Sequence, residues 1–328
     1  MTVGLLVLMV LGAIGRFTRD RNFVLALMMY VPLLPVGAWA VLQDLACGGR
    51  CIPRLRFALA VIGLGVAVWG TVPMLGLRSP EPAPAGSSGV SLLHWNLMSG
   101  GRRAALPRWE SLAGEILRRD PDLVVLSEAP PDGWIFRTLK ANGRRGWKSV
   151  HIQNPADSPY WYKPTVFSRW PLRERRVILR NGAAMAVSAD VRGRTVRLLV
   201  VDGLSRPTLP RAPLLQDVAA ACDEAARRGE PYDVVVGDFN AVSASIGFEN
   251  ITAAGPGYRP AAEYCGGWRG TWPFPLPMYD IDHALVRGEV AVTASELFSG
   301  RGLGTDHRGQ FVQIALPPGK GAPVVTSD

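Results

Sequence analysis

Cysteine is scarce, with four residues in a chain of 328, and that excludes a disulfide-stapled scaffold. Cys47 and Cys51 lie close together in CGGRC. No second pair of ligands follows them, so they read as a loop disulfide or two thiols rather than half of a zinc site. Cys222 and Cys265 read as buried thiols. Histidine is equally rare: His94, His151, His283 and His307 are all there are, and any imidazole chemistry must draw on these four. A strong excess of one charge is also missing. The net charge is +9, but +5 of it lies at or before Arg78 and only +4 is spread over the remaining 250 residues. Scattered pairs such as Arg102-Arg103 and Arg144-Arg145 do not form the basic stripe of a duplex-DNA binder. No internal repeat is visible, which excludes solenoids and propellers.

The one conspicuous excess is apolar, and it sits at the N-terminus. The runs 23–43 and 57–77 each hold 21 residues without a charge, and a bilayer core needs about 20 apolar residues in a helix. Residues 1–15 are also uncharged. At 1.5 Å per residue they reach about 22 Å, short of a core of roughly 30 Å. Residues 1–78 therefore read as a transmembrane region of two or three helices, about 1–15, 23–43 and 57–77, which implies a lipid bilayer as partner and a multi-pass cell-membrane location. No charge lies inside the two long runs, which argues against a transporter or channel. The loops carry Arg16, Arg19 and Arg21 against Arg50, Arg54 and Arg56, so the positive-inside rule ties. Cys47 and Cys51 favour a reducing side for the second loop, and an extracytoplasmic C-terminal domain is expected.

A Pro/Ser/Gly linker, residues 79–89, follows, and the texture then changes. Short β-rich runs (VSLLHWNLM, PDLVVLSEA, TVRLLVVDGL, YDVVVGDFN, DIDHALV, GQFVQIAL) alternate with amphipathic stretches. One puts Trp109, Leu112, Ile116 and Leu117 on a single face; another does the same with Leu214, Leu215, Val218, Ala221 and Cys222. Residues 90–316 are thus an α/β domain, and residues 317–328 a flexible tail. Polar residues gather where the strands end: Asn96, Glu128, Asp238, Asn240, the Asp282-His283 pair and the Asp306-His307 pair. Loops at one edge of a rigid sheet are where reactive groups are held. In an extended segment residues i and i+2 point the same way, so Asp238 and Asn240 are expected to project together. An acceptor beside a donor/acceptor suits a metal, or a phosphate and a water.

In order, HWNL, PDLVVLSE, FSRWPL, GDFN, IDHALV and TDH resemble the endonuclease/exonuclease/phosphatase superfamily with its DNase I-like fold. RGTWPFP resembles a stretch of its membrane-anchored bacterial members. The resemblance covers roughly residues 90–316. It implies a four-layered α/β sandwich of two packed β-sheets flanked by helices, and hydrolysis of a phosphodiester or phosphomonoester with Mg²⁺, or Mn²⁺ in its place. The substrate would be lipid-like, a small molecule or nucleic acid, with nucleic acid not favoured by charge. Glu128 would be the principal metal ligand, with Asn96 and Asp306 shaping the metal site. His307 would bind or protonate the phosphate group, with Asp282 as its carboxylate partner. Asp238 would position or deprotonate the water, and Asn240 would hold a phosphate oxygen. Two departures stand out. Asp202 and Gly203 occupy the place of a further family histidine, leaving Arg206 or His151 to take over phosphate binding. Ser127 stands where glutamine commonly precedes the glutamate. The alternative reading is a catalytically impaired member acting as a membrane-anchored binding or scaffold module.

Overall fold

The computed structural model describes residues 1–98, 107–129, 134–141, 146–151, 163–206, 209–300 and 302–318. The last ten residues of the expected tail, and the two arginine pairs named above, lie outside these. The chain divides into two compact units. One is Met1–Leu75 with Arg206–Ala212 and Ala244–Ile246; the other holds Gly76–Ser205, Pro213–Ser243 and the chain from Gly247 onward.

The first unit contains α1 (Thr2–Thr18), α2 (Phe23–Met29), α3 (Leu33–Ala46) and α4 (Ala58–Thr71). The uninterrupted helix expected over 23–43 is not formed. Pro32 disfavours helical geometry in the residue before it, and the chain breaks after Met29 and restarts at Leu33 with Pro32 as N-cap. Pro73 likewise closes the run 57–77, where a 3₁₀ turn over Val72–Met74 leads into a two-residue strand, β1 (Leu75–Gly76). Among the described residues no single helix is long and apolar enough to cross a membrane. α1 and α2 pass that test only as a pair bent by 117°. Leu5, Met9, Val36, Ala40 and Leu59 form this unit's own core. The cysteines are free thiols; Cys222 is buried as expected, but Cys265 is only half-buried.

The second unit is built on two six-stranded sheets. The first has the order β13-β14-β2-β3-β5-β4 and the second β10-β12-β9-β8-β7-β6. The strands are β2 (Ser88–Asn96), β3 (Leu123–Ala129), β4 (Lys148–His151), β5 (Lys163–Ser168), β6 (Leu172–Leu179), β7 (Gly182–Val191), β8 (Arg194–Gly203), β9 (Val234–Asp238), β10 (Tyr258–Pro260), β12 (Asp282–Arg287), β13 (Ala291–Ser299) and β14 (Arg308–Leu316); β11 is the dipeptide Gly267–Trp268. Strand alternation decides the layers. Val90, Leu92, Val125, Val312, Leu198, Val200, Val236 and Ala284 fill the space between the sheets. Alternate residues face outward. Leu93, Trp95 and Leu126 pack beneath α5 (Pro107–Arg119) and α6 (Trp134–Ala141), while Leu199, Val201 and Val235 pack beneath α7 (Ala212–Arg227) and α8 (Ile246–Ala253). The result is helix, sheet, sheet, helix.

The segment expected as a Pro/Ser/Gly linker, 79–89, makes hydrogen bonds through Glu81. The Glu81 amide donates to Val292, and its carboxylate accepts from Arg259 and Tyr264.

Within each sheet one neighbouring pair is parallel, β2 with β3 and β8 with β9. A parallel pair needs a crossover connection, supplied here by α5 and α7. Each crossover brings two strand ends to the same edge. β12 begins, and β14 is entered, at that same edge, because both are antiparallel to their neighbours β9 and β2.

Candidate active site

Asn96, Asp202 and Asp238 fall on inward-facing positions, continuing the alternation of Leu92, Val200 and Val236, just beyond the point where the apolar filling ends. Glu128 does not follow from alternation, which would turn it outward with Val124 and Leu126. The β3–β5 register slips between Leu126 and Ala129, and Glu128 sits in the left-handed region at φ 48°. This irregularity re-aims a half-buried carboxylate toward Asn96, whose Nδ2 lies 3.4 Å from Glu128 Oε1 and donates to Asp238 Oδ2 at 2.8 Å. The Asn96 Oδ1 accepts the Met98 amide. Asn96 thus holds two carboxylates apart and in place.

Asp238 and Asn240 do not share an extended segment. The strand ends at Asp238, and Asn240 takes φ 49°. The i, i+2 expectation fails because an Asx-type turn replaces the strand: the Asn240 amide donates to Asp238 Oδ1 at 2.8 Å. The Asn240 Nδ2 donates to the Gly203 carbonyl, also at 2.8 Å. The glycine before Asp238 has a backbone reason. Gly237 has φ 151°, and a Cβ there would collide with the Val201 carbonyl.

Asp282 is entirely buried and accepts from His307 Nδ1 at 2.8 Å. Burial would raise its carboxyl, but the charge and hydrogen bond of His307 hold it below its ordinary value. Burial would likewise push His307 down. Asp282, with help from Asp238 and Asp306, wins and pushes the imidazole up to about 10, so it is an imidazolium at neutral pH. Burial, and then the charge of Asp282, push Asp238 up to about 7.

Asp306 accepts from Trp272 Nε1 at 2.9 Å through Oδ2, while its Oδ1 lies 3.8 Å from His307 Nε2. That Oδ1 is buried without a hydrogen-bond partner, as is Asp282 Oδ1. Asp238, Asp282 and His307 each offer an atom within 4.8 Å of the others. His307, as an imidazolium, has no lone pair for a metal, whereas the unsatisfied Asp306 Oδ1 and the Glu128 carboxylate beside Asn96 are oxygen donors that fit a hard divalent cation.

The other expected residues divide. His283 lies on the far face, bonded to the Ala241 carbonyl and packed against Phe239 and Phe248, and takes no part. His151 ends β4 at the edge that also carries Glu128, in register with Thr165, itself the partner of Leu126. Arg206 is exposed, and its carbonyl accepts from Arg211.

Four further residues complete the rim, none of them assigned a role by sequence reasoning. Thr305 Oγ1 donates to the Asn96 carbonyl and accepts the His307 amide. Thr271 Oγ1 accepts the Asp282 amide. Trp272 holds Asp306. Asp202 stands in register with Asp238, which stands in register with Asp282; three aspartates therefore lie side by side on three adjacent strands. Burial and the charges of Asp238, Glu128 and Asp282 raise the Asp202 carboxyl well above its ordinary value. Trp272 had a signal in the sequence, its place in the WPFP stretch, and Asp202 was visible only as a departure from the family pattern; the two threonines emerge from the fold alone.

Residues 93–307, more than half of the chain, match the model of the endonuclease/exonuclease/phosphatase family. The chain belongs to that family, whose members are in general hydrolases of phosphate esters. No curated protein matches it by sequence. Among solved structures it is similar to an endonuclease/exonuclease/phosphatase family protein of Bacteroides thetaiotaomicron (13% identity, 70% of this chain and 99% of that one, TM-score 0.55). It is also similar to the human Nocturnin catalytic domain with bound sulfate anion (16%, 71% and 98%, 0.56). Truncated TDP2 of Caenorhabditis elegans is a third (16%, 70% and 98%, 0.54). These likenesses establish the fold.

Proposed function

We propose that the protein is a membrane-attached, divalent-metal-dependent phosphoesterase. The observation that carries this is the convergence of Asn96, Glu128, Asp238, Asn240, Asp282, Asp306 and His307 at one edge of the sandwich, with the Asp282–His307 pair already closed at 2.8 Å. Mg²⁺ or Mn²⁺, held by Glu128 with Asn96 and Asp306 shaping its site, would neutralise charge on the phosphate and its developing transition state. The chain's own groups do the rest. The His307 imidazolium, kept charged by Asp282, hydrogen-bonds a phosphate oxygen. Asp238, raised to about 7, is poised as a base near neutral pH. It takes a proton from the attacking water as the new P–O bond forms and the bond to the leaving oxygen breaks. Asn240 orients the phosphate. The human Nocturnin catalytic domain, similar in fold, has a bound sulfate anion, a tetrahedral anion as the phosphate group proposed here would be.

Membrane attachment rests on surface chemistry. Among the described residues every exposed large apolar side chain except Ile178 and Leu276 lies between Met1 and Leu77. So dense an apolar surface calls for a non-aqueous neighbour. A lipid-like or other small phosphate ester at that surface, on the extracytoplasmic side, is the substrate class favoured by the modest charge of the catalytic unit.

A second reading, an impaired member that binds without turnover, is favoured by one observation. Gly203 stands where the family histidine is expected, and a Cβ there would collide with the Phe239 carbonyl. The purified chain, in detergent, with bis-p-nitrophenyl phosphate, sphingomyelin, phosphoinositides and plasmid DNA, separates the two. Hydrolysis that needs Mg²⁺ or Mn²⁺ and disappears in Glu128→Gln is expected. Absence of turnover on every substrate by folded protein would sink the first reading and leave the second.

A further inference from the structure

The layer in which the apolar filling gives way to the active site is polar on both sheets. On one sheet the inward positions after Leu92 and Val125, and before Val312, are His94, Ser127 and Gln310. They face the sheet that carries Asp282. All three are buried, none more than 1% exposed. His94 and Gln310 are direct partners across β2 and β14. His94 Nε2 lies 3.3 Å from Ser127 Oγ. The remaining polar atoms of this layer have no protein partner: His94 Nδ1, both amide atoms of Gln310, and the second oxygen of Asp282, Oδ1. Buried polar groups are almost always satisfied, because leaving one unpaired forfeits its hydration with nothing in return. Four of the unpartnered buried side-chain atoms among the described residues thus lie in this one layer.

Their chemistry is complementary. A carboxylate oxygen only accepts. Ser127 can donate to His94 Nε2, which leaves Nδ1–H as a donor. Gln310 brings one group of each kind. The atoms do not reach one another directly, and a water needs two to four such partners. We propose that His94 and Gln310 form an internal water site, holding about one or two molecules, that grips Asp282 Oδ1 from behind and so positions the carboxylate whose other oxygen holds His307. His94 is then a positioning residue that never touches substrate. The proposal rests on the catalytic reading of Asp282 and His307 for its consequence, but not for its geometry.

Two readouts keep the two apart. In the full chain with ¹⁵N-labelled histidine, the His307 Nδ1 proton shared with Asp282 should give a downfield, slowly exchanging resonance. His94→Leu and Gln310→Met should each speed its exchange with water about tenfold or more, whereas His94→Gln, which keeps a donor and an acceptor, should restore it. On bis-p-nitrophenyl phosphate the first two variants should lower kcat about tenfold and leave KM unchanged, and His94→Gln should recover most of the loss. Gln310→Met conserves volume and gives a folded test if His94→Leu does not fold. An unchanged His307 proton in a folded Gln310→Met or His94→Leu protein would overturn the water site. A wild-type chain without turnover would defeat the phosphoesterase reading and leave the resonance test standing.

Discussion

Asp238→Asn should change the sign of its effect on stability with pH. Asp238 is buried to 1% exposure and its folded-state pKa is raised to about 7 from 3.8. Between those values the unfolded chain has released the proton that the folded chain keeps. The stability tied to this group is therefore fully present below about pH 4 and is lost as pH rises through 7. At about 1.4 kcal/mol per unit, the loss is on the order of 4 kcal/mol at pH 8 in metal-free protein. Asparagine removes that loss, but it also puts an amide nitrogen opposite Asn96 Nδ2, which now donates to Asp238 Oδ2. A donor facing a donor costs about 1–2 kcal/mol at every pH. By pH 4.5 wild type has already lost about 1 kcal/mol, so the net is a variant about 2–3 kcal/mol more stable than wild type at pH 8 and about 0–1 kcal/mol less stable at pH 4.5.

For a domain of this size 1 kcal/mol moves Tm by about 2–4 °C. Thermal unfolding in EDTA, followed by tryptophan fluorescence, should therefore show the Asp238→Asn protein melting roughly 5–10 °C higher at pH 8 and about 0–4 °C lower at pH 4.5. Mg²⁺ should narrow the gap at pH 8, because a cation compensates the same charge. His307 acts in the same direction over a higher window: raised from 6.5 to about 10, it contributes stability below 6.5 that is lost as pH rises through 10. A difference in Tm independent of pH would refute the argument, since it would mean that Asp238 is ionised in the folded state throughout. The stabilised variant should be inactive, a trade expected where a site stores repulsion.

Two further outcomes follow from the same geometry. Asp282→Asn removes the partner that holds His307 at about 10; activity should fall, and the basic limb of its pH–rate profile should move acidward by at least one unit (order of magnitude), whereas a superimposable profile would mean that the pair does not act in the reaction. Gly203→Ala and Gly203→His should both lower Tm by several degrees, because a Cβ meets the Phe239 carbonyl and Leu214 and overpacking costs about 1–3 kcal/mol; a stable Gly203→His protein of higher activity would show that the family's histidine can be restored.

The layers were legible because alternation and helical periodicity are local. Trp109, Leu112 and Ile116 are buried on α5 as their spacing implies, and Leu214, Leu215 and Val218 on α7. The site residues were legible because each stands at or near the end or the start of a hydrophobic strand, and those strand ends share one edge. What could not be read is anything that depends on register or on a break in regularity. Glu128 reaches the site only through a slip between Leu126 and Ala129. Asn240 turns back on Asp238 instead of running parallel to it. The alignment of Asp202 with Asp238 and Asp282 joins residues 36 to 80 positions apart in the sequence. In the N-terminal unit composition suggested one helix over 23–43, and a single Val31-Pro32 step divided it.

The exchange of a family histidine for Asp202-Gly203 alters more than one contact. A histidine at that end of β8 would bring a second cationic donor to the edge that receives a phosphate. Here, among the described side chains, the edge carries Glu128, Asp202, Asp238, Asp282 and Asp306 against one imidazolium, His307. Paired aspartates in register on adjacent strands repel one another, and burial sharpens the repulsion. Without a cation such an edge disfavours an anion, and protons held by Asp238 and Asp202 are the available relief. With a divalent cation the same carboxylates are satisfied and the phosphate meets net positive charge. Phosphate binding should therefore be more strictly tied to the metal in this chain than at a site with two histidines, and that coupling follows from the strand register that places Asp202 beside Asp238.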